Sequence, residues 1–334
     1  MKNNSINKND GPLVSILIIN YNGKHYLKNC IDSIYRGTYK NIEVIFIDNG
    51  SKDGSIEFIR DNYKNIKVVD NKANFGLAIA SNKGAEVAKG KYMFFFNNDT
   101  IAKPNLIKNM VDVLEKDHAV GICGCTTYTY NGSTMLNAGV ACDIFGYPYG
   151  KGEPFYVDAG IFIRSDLFGK MGGFDEKMFL YGEDRDICWR CWLYGYKVVV
   201  ADDAVFYHDS FCTSKDLKQY NTNIFKRFYG EFNALRAILK NYSWPFLLFV
   251  LPLYTSINIA EAFVFIFKRN FNVVRDVYIK SYVENFKNIK DTMTKRAKIQ
   301  RERMISDFEL IKHMNKVSGK LKLLLDAGVP KFGE

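Results

Sequence analysis

Leu13-Val-Ser-Ile-Leu-Ile-Ile-Asn20-Tyr21-Asn22 is an almost unbroken apolar run that stops on polar side chains. Runs of this kind mark strands buried on both faces, as in a parallel sheet covered by helices. The junction recurs in Glu43-Val-Ile-Phe-Ile-Asp48-Asn49 and in Tyr92-Met-Phe-Phe-Phe-Asn97-Asn98-Asp99-Thr100. Strands are expected over 13–19, 43–47, 66–69 and 92–96, alternating with helices over 24–35, 55–62, 77–88 and 104–116. This βαβ pattern predicts an α/β fold with a mainly parallel central sheet flanked by helices. Ligands bind such sheets beyond the carboxyl ends of the strands, which makes the polar residues at those ends the candidate site.

Local chemistry supports the boundaries. Ser51-Lys-Asp53-Gly-Ser55 supplies capping oxygens before a helix, and Pro104 suits a first helical turn. Residues 121–182 are irregular, rich in Gly and Tyr, and suit loops and short strands around a pocket. A helix over 183–193 and strands over 197–202 and 204–207 follow. The chain divides into a polar, disordered tail (1–12), a catalytic domain (13–212) and a helical C-terminal region (213–334).

Charge separates the same parts. The net charge is +10, yet residues 1–212 hold 24 Lys and Arg against 25 Asp and Glu, whereas 213–334 hold 22 against 11. A basic segment implies an anionic partner. Zinc-finger and RNA-binding signatures are missing, so an anionic membrane surface is expected and nucleic acid is not. The apolar run 244–267 is long enough to cross a bilayer, but Pro245, Pro252, Ser256, Asn258 and Glu261 interrupt it. In-plane interfacial helices, a transmembrane span, and a core or homodimer contact remain open. The start, MKNNSINKNDG, has no signal-peptide core, which places the protein on the cytoplasmic side of the cell membrane, peripheral or monotopic. The seven cysteines then read as reduced thiols. Cys123/Cys125 and Cys188/Cys191 have the spacing of zinc ligands without the flanking turns, and buried thiols are the better reading.

The strand ends carry chemistry. Asp99 after a buried strand is placed to hold a divalent cation against a diphosphate, although Asn-Asp-Thr before Lys-Pro is also an ordinary turn. Asp48 is able to accept hydrogen bonds from a base or ribose, with Asn20 and Asn22 on the same side; in isolation an Asx turn followed by a helix cap explains it better. Asn74-Phe-Gly76 opens a helix of small residues that admits a close approach by ligand or backbone. Glu183 and Asp184 sit in a first helical turn, as dipole-complementing carboxylates or as a general base. His208, 24 positions after Asp184, is a possible metal ligand or a hydrogen-bonded structural residue.

Taken in order, VSILIINYNG, EVIFIDNGSKDGS, NFGLAIASNKG, KYMFFFNNDT, GGFDEKMFLYGEDRDICWR and His208 resemble family 2 glycosyltransferases of the GT-A (Rossmann-like) fold, most of all their rhamnosyltransferase-type branch. The resemblance covers residues 13–212, and KRAKIQRERMISDFEL is similar to that branch's C-terminal tail. It implies an inverting transfer dependent on Mg²⁺ or Mn²⁺, from a nucleotide-diphosphate sugar (dTDP- or UDP-linked, rhamnose among them) to a glycan or polyprenyl-linked glycan, in cell-surface polysaccharide or glycoprotein glycan assembly. By the same resemblance Asp99 and His208 are the metal ligands, and Asp184, with Glu183 beside it, is the catalytic base. Asn20, Asn22, Asp48, Asn49, Asn74, Gly76, Asn82 and Asn98 are expected to contact the nucleotide sugar. Asp158 and Gly160 fall on a sugar-side or acceptor-side loop. Position 97 is Asn where the family's DxD motif has Asp, and position 182 is Gly where bulkier residues are frequent. A nucleotidyltransferase would need a Gly-rich loop with following Arg and Lys near the first strand, which this chain lacks; a non-catalytic nucleotide- or glycan-binding module is the other alternative.

Overall fold

The computed structural model describes residues 11–148, 153–209 and 221–333. Most of the tail expected to be disordered, residues 1–10, and the boundary expected at Cys212 lie outside the described residues. Two compact units interleave along the chain. One comprises 1–139, 157–176 and 197–212, the other 140–156, 177–196 and 213–334.

The first unit is built on a mixed sheet in the order β3-β2-β1-β4-β8-β6-β9-β5, with β7 on β6. Its strands are β1 (Val14–Asn20), β2 (Ile42–Asp48), β3 (Lys67–Asp70), β4 (Tyr92–Asn97), β5 (Thr100–Ala102), β6 (Val120–Thr129), β7 (Met135–Asn137), β8 (Gly160–Arg164) and β9 (Lys197–His208). The helices are α1 (Lys24–Tyr35), α2 (Ser55–Asn62), α3 (Leu77–Ala85), α4 (Leu106–Lys116) and α5 (Ser165–Met171). β1 to β4 are mutually parallel, as the alternation predicts. The next strand, β8, is antiparallel to both β4 and β6. Ile16, Ile18, Phe46, Phe94, Phe96, Phe162 and Phe206 form the core with Leu27 and Ile31 of α1. The small residues of α3 have a packing reason, since a Cβ on Gly84 would lie 2.8 Å from the Ile47 side chain. α4 starts at Leu106, after Pro104, whose carbonyl accepts from the Thr38 amide (2.8 Å) instead. The two short strands expected over 197–207 are one, β9, whose register against β6 shifts between Cys125 and Thr126.

The second unit is helical: α6 (Glu183–Leu193), α7 (Ile224–Asn241), α8 (Trp244–Phe267), α9 (Phe271–Val273) continuing through a π-helical turn (Val274–Ile279) into α10 (Lys280–Lys287), α11 (Ile289–Glu302), α12 (Asp307–Leu310) and α13 (Gly319–Ala327). Two short strands, β10 (Asn221–Thr222) and β11 (Lys331–Phe332), pair in parallel. Asp186 of α6 is fully buried against Arg190 (2.9 Å) and against Lys240 (3.0 Å) of α7, which ties the two helices by charge. Cys30, Cys123, Cys125, Cys142, Cys188 and Cys191 are buried thiols.

Candidate active site

Parallel register aligns the strand ends. Asn20 lies opposite Asp48 across the β1–β2 ladder, and Ile19 lies opposite Asn97 across β1–β4, so three polar termini share one edge. Asn20 is fully buried. Its Nδ2 donates to Asp48 Oδ1 (3.0 Å) and Ser51 Oγ (3.0 Å), and its Oδ1 accepts from Asn98 Nδ2 (2.6 Å). Asp48 Oδ2 takes the Gly50 (3.1 Å) and Ser51 (2.8 Å) amides. A carboxylate offers about four lone-pair sites, and three are occupied in this fully buried side chain. Asn22 adopts a left-handed conformation (φ 53°), and its Oδ1 accepts from the Lys52 amide (2.8 Å).

Asp99 and His208 meet at the same edge. β5 pairs antiparallel with β9, Thr100 opposite His208, which sets His208 Nε2 3.1 Å from Asp99 Oδ1. Two neighbouring ligands of an octahedral cation, each about 2.1 Å from it, lie about 3 Å apart, so this pair fits one edge of an Mg²⁺ or Mn²⁺ shell. Among the described residues no third His, Cys, Asp or Glu joins them as a metal-binding group. The remaining coordination positions would fall to substrate oxygens and water, as is usual for Mg²⁺. Asn97 Nδ2 faces His208 Nε2 at 3.4 Å.

Other expected donor contacts shape loops. Asn49 gives its amide to Asn74 Oδ1 (2.9 Å) and the Gly76 carbonyl (3.3 Å), and its Oδ1 accepts from Asn71 Nδ2 (3.3 Å) and the Phe75 amide (3.2 Å). Every hydrogen-bonding position of that side chain is therefore spent on the loop 71–76. Asn74 is exposed and Gly76 holds φ 85° before α3, a backbone state suited to glycine. Asn82 is bonded twice to the Phe174 backbone, at 2.9 and 3.0 Å. Asp158 Oδ1 accepts from Asn137 Nδ2, while burial pushes its carboxyl above the usual range against the pull of Asn137 and His208. Gly160 begins β8 opposite Phe96, where a Cβ would sit tightly, 3.1 Å from Cys125 Sγ and from the Phe206 ring.

In the second unit the acidic pair opens α6 behind a strained turn, Tyr181 at φ 64° and Gly182 at φ 106°. Asn233 of α7 pins that turn, donating to the carbonyls of Leu180 (2.9 Å) and Tyr181 (2.6 Å). The φ of 106° at position 182, a state that L side chains rarely adopt, accounts for glycine there. Glu183 is buried, and burial first, then Asp184, holds its carboxyl well above the usual carboxylate range. Asp184 is half-buried and is the carboxylate of the pair that reaches solvent.

Residues 15–199 match the sequence model of glycosyl transferase family 2. The chain belongs to glycosyltransferase family 2. An uncharacterised glycosyltransferase of Rickettsia typhi is 30% identical over 237 residues, 67% of this chain and 70% of that protein. The glycosyltransferase GlyG of Streptococcus pneumoniae is 35% identical over 126 residues, 36% of this chain and 41% of its own. Among solved structures, a Pyrobaculum calidifontis mannosyltransferase in complex with GDP-Man and Mn²⁺ aligns with TM-score 0.53 at 16% identity, over 86% of this chain and 85% of that one. Staphylococcus aureus TarS (residues 1–349) in complex with UDP-GlcNAc aligns with TM-score 0.51 at 16% identity, over 68% and 67%. These likenesses show the GT-A fold of this glycosyltransferase.

In each unit, several supports of the candidate residues of this glycosyltransferase escape a reading of its sequence. Ser51 links the first two strand ends, Asn137 meets Asp158, and Asn233 holds the turn before α6. Tyr26 of α1 donates to Asp209 (2.7 Å), and that bond, ahead of burial, pushes its hydroxyl up to about 12. Tyr26 and Asp209 are 183 positions apart, and neither stands in a recognisable motif.

Proposed function

We propose that this glycosyltransferase moves a sugar from a nucleotide-diphosphate donor to a hydroxyl of a glycan or lipid-linked glycan, with inversion at the anomeric carbon. The observation that carries the reading is the Asp99–His208 pair, 3.1 Å apart at the carboxyl edge of the sheet and beside the Asn20–Asp48–Asn98 chain of hydrogen bonds. Asp48 receives the base or ribose. Asn98 and the loop 71–76 line the donor, the loop being braced by Asn49. Asp99 and His208 would hold a divalent cation, Mg²⁺ or Mn²⁺, whose charge stabilises the departing diphosphate.

Asp184 is the base that takes the proton of the acceptor hydroxyl as that oxygen attacks the anomeric carbon. Glu183, whose carboxyl burial and then Asp184 raise above the usual range, is buried, which leaves Asp184 as the carboxylate of the pair that reaches solvent. The solved structures with this fold hold UDP-GlcNAc and GDP-Man, and the branch resemblance adds dTDP- and UDP-sugars, rhamnose among them. Binding and hydrolysis should therefore be measured across UDP-, dTDP- and GDP-sugars with Mn²⁺, Mg²⁺ or EDTA. Selective, EDTA-sensitive recognition of one donor is expected; indifference to all donors and metals would discard the reading.

A further inference from the structure

α8 is the helix that, among the described residues, has the length and apolarity to cross a membrane. Its buried positions are Leu247, Val250, Tyr254, Asn258 and Phe265, which form one seam. Asn258 and Glu261, the residues whose polarity argues against lipid, point inward. Asn258 Oδ1 accepts from Lys320 Nζ (2.5 Å), and both carboxylate oxygens of Glu261 accept from Arg227 Nη2 (2.7 Å), with Lys320 at 2.8 Å. The same two cations reach buried Glu231, Arg227 at 3.0 Å and Lys320 at 2.7 Å. Glu231 also accepts from Tyr254 of the seam (2.9 Å). Two acids and two bases thus close into a neutral cluster beneath the helix.

The outer face is the converse. Trp244, Leu248, Phe249, Leu253, Ile259, Phe263, Ile266 and Phe267 are exposed, Leu248 at 73%, Phe249 at 71% and Phe267 at 85%. Ser256 is the one exposed residue of α8 with a polar side chain. A helix of 24 residues is about 36 Å long, and an apolar face of that extent marks a contact surface. At its far end Lys268 and Arg269 are exposed, and Lys280, Lys287 and Lys290 are exposed on the helices that follow.

Three occupants compete for this face. A transmembrane path would either strip Asn258 and Glu261 from their cations or draw Arg227 and Glu231 of α7 into hydrocarbon, and both are costly. A second copy would bring a like-charged segment, 22 basic against 11 acidic residues from 213 onward, up to its own kind. One leaflet of an anionic bilayer meets both features, taking the apolar side chains below the headgroups and the cations among them.

We propose that α8 lies in the plane of an anionic membrane as a one-leaflet anchor, its outer face in the acyl boundary and its inner seam locked to the buried ion cluster. The proposal is independent of which sugar or acceptor the enzyme uses. Its test is cosedimentation of the full chain with phosphatidylcholine vesicles and with vesicles containing phosphatidylglycerol, alongside Leu248→Glu/Phe249→Glu/Phe263→Glu and Lys268→Glu/Arg269→Glu variants whose folding is checked by circular dichroism. Wild type should partition about tenfold better onto anionic vesicles, each variant should lose about tenfold or more, and donor binding should be unchanged. Spin labels at Phe249→Cys, Ser256→Cys and Phe267→Cys should report one shallow depth. A deep centre between shallow ends would overturn the in-plane anchor in favour of a span. Wild type remaining in solution, or a dimer that the triple variant dissociates without change in vesicle binding, would overturn the membrane as occupant.

Discussion

Asp99 Oδ1 and His208 Nε2 stand 3.1 Å apart although 109 positions separate them in the chain, joined by the antiparallel pairing of β5 with β9. Removing either ligand should therefore have the same consequence. In calorimetric titrations with Mn²⁺ and a nucleotide sugar, Asp99→Ala and His208→Ala are each expected to weaken metal-dependent donor binding by tenfold or more, with little change in the residual binding seen in EDTA. Equal loss with and without metal would assign the pair a structural part only.

Asp184→Asn keeps size and shape while removing the base. Donor affinity should stay near normal and kcat should fall by roughly a hundredfold or more, measured as transfer to an added acceptor. Wild-type turnover in this variant would take Asp184 out of the base role.

Asn233→Ala frees the turn it pins. Loss of two hydrogen bonds to a turn with φ of 64° and 106° should let the start of α6 drift, and small misplacements of a catalytic group cost much more than they cost in stability. A kcat lowered about tenfold, with donor Kd unaltered, is the expected split.

Glu183 makes stability depend on pH. Its folded carboxyl is raised above the ordinary value of 4.5 by burial and by Asp184, so between the two values the folded state binds more protons than the unfolded one. Stability is then fully present below about 4.5 and is lost as pH rises through the elevated folded value. Urea melts from pH 5 to 8.5 should show this decline in wild type and a flatter profile in Glu183→Gln; parallel profiles would contradict it.

Asn20→Ala leaves Asp48, Ser51 and Asn98 without a shared buried partner. Unsatisfied buried groups cost about 1–3 kcal/mol, and in a chain of this size that lowers Tm by about 1–4 °C, readable by scanning calorimetry.

The parallel half of the sheet was legible because its strands are buried on both faces and end abruptly. Val14–Asn20 and Tyr92–Asn97 announce themselves by unbroken apolar runs, and Lys24–Tyr35 by helical spacing. β6 was not, since Val120–Thr129 is buried over eight positions, yet Gly and Cys break up its β-branched residues. Asp48, Asp99 and Asp184 were visible as carboxylates at element ends. Asn49 and Asn82 looked the same in one dimension but turn their amides onto backbone, and only the folded chain distinguishes a side chain that faces a ligand from one that braces a loop. The partners of Asn258 and Glu261 were out of sight for a related reason: Arg227 lies 34 positions from Glu261, and Lys320 lies 62 from Asn258 and 59 from Glu261.

Asp186 pairs with Arg190 and Lys240 where none of the three side chains is more than 4% exposed, so mobile ions have no access to screen them. Ionic strength falls instead on the outward cations of a chain with net charge +10. Concentrated salt thus becomes a selective solvent for this protein, able to release it from a purely electrostatic support such as a cation-exchange resin, while the joint between α6 and α7 stays shut.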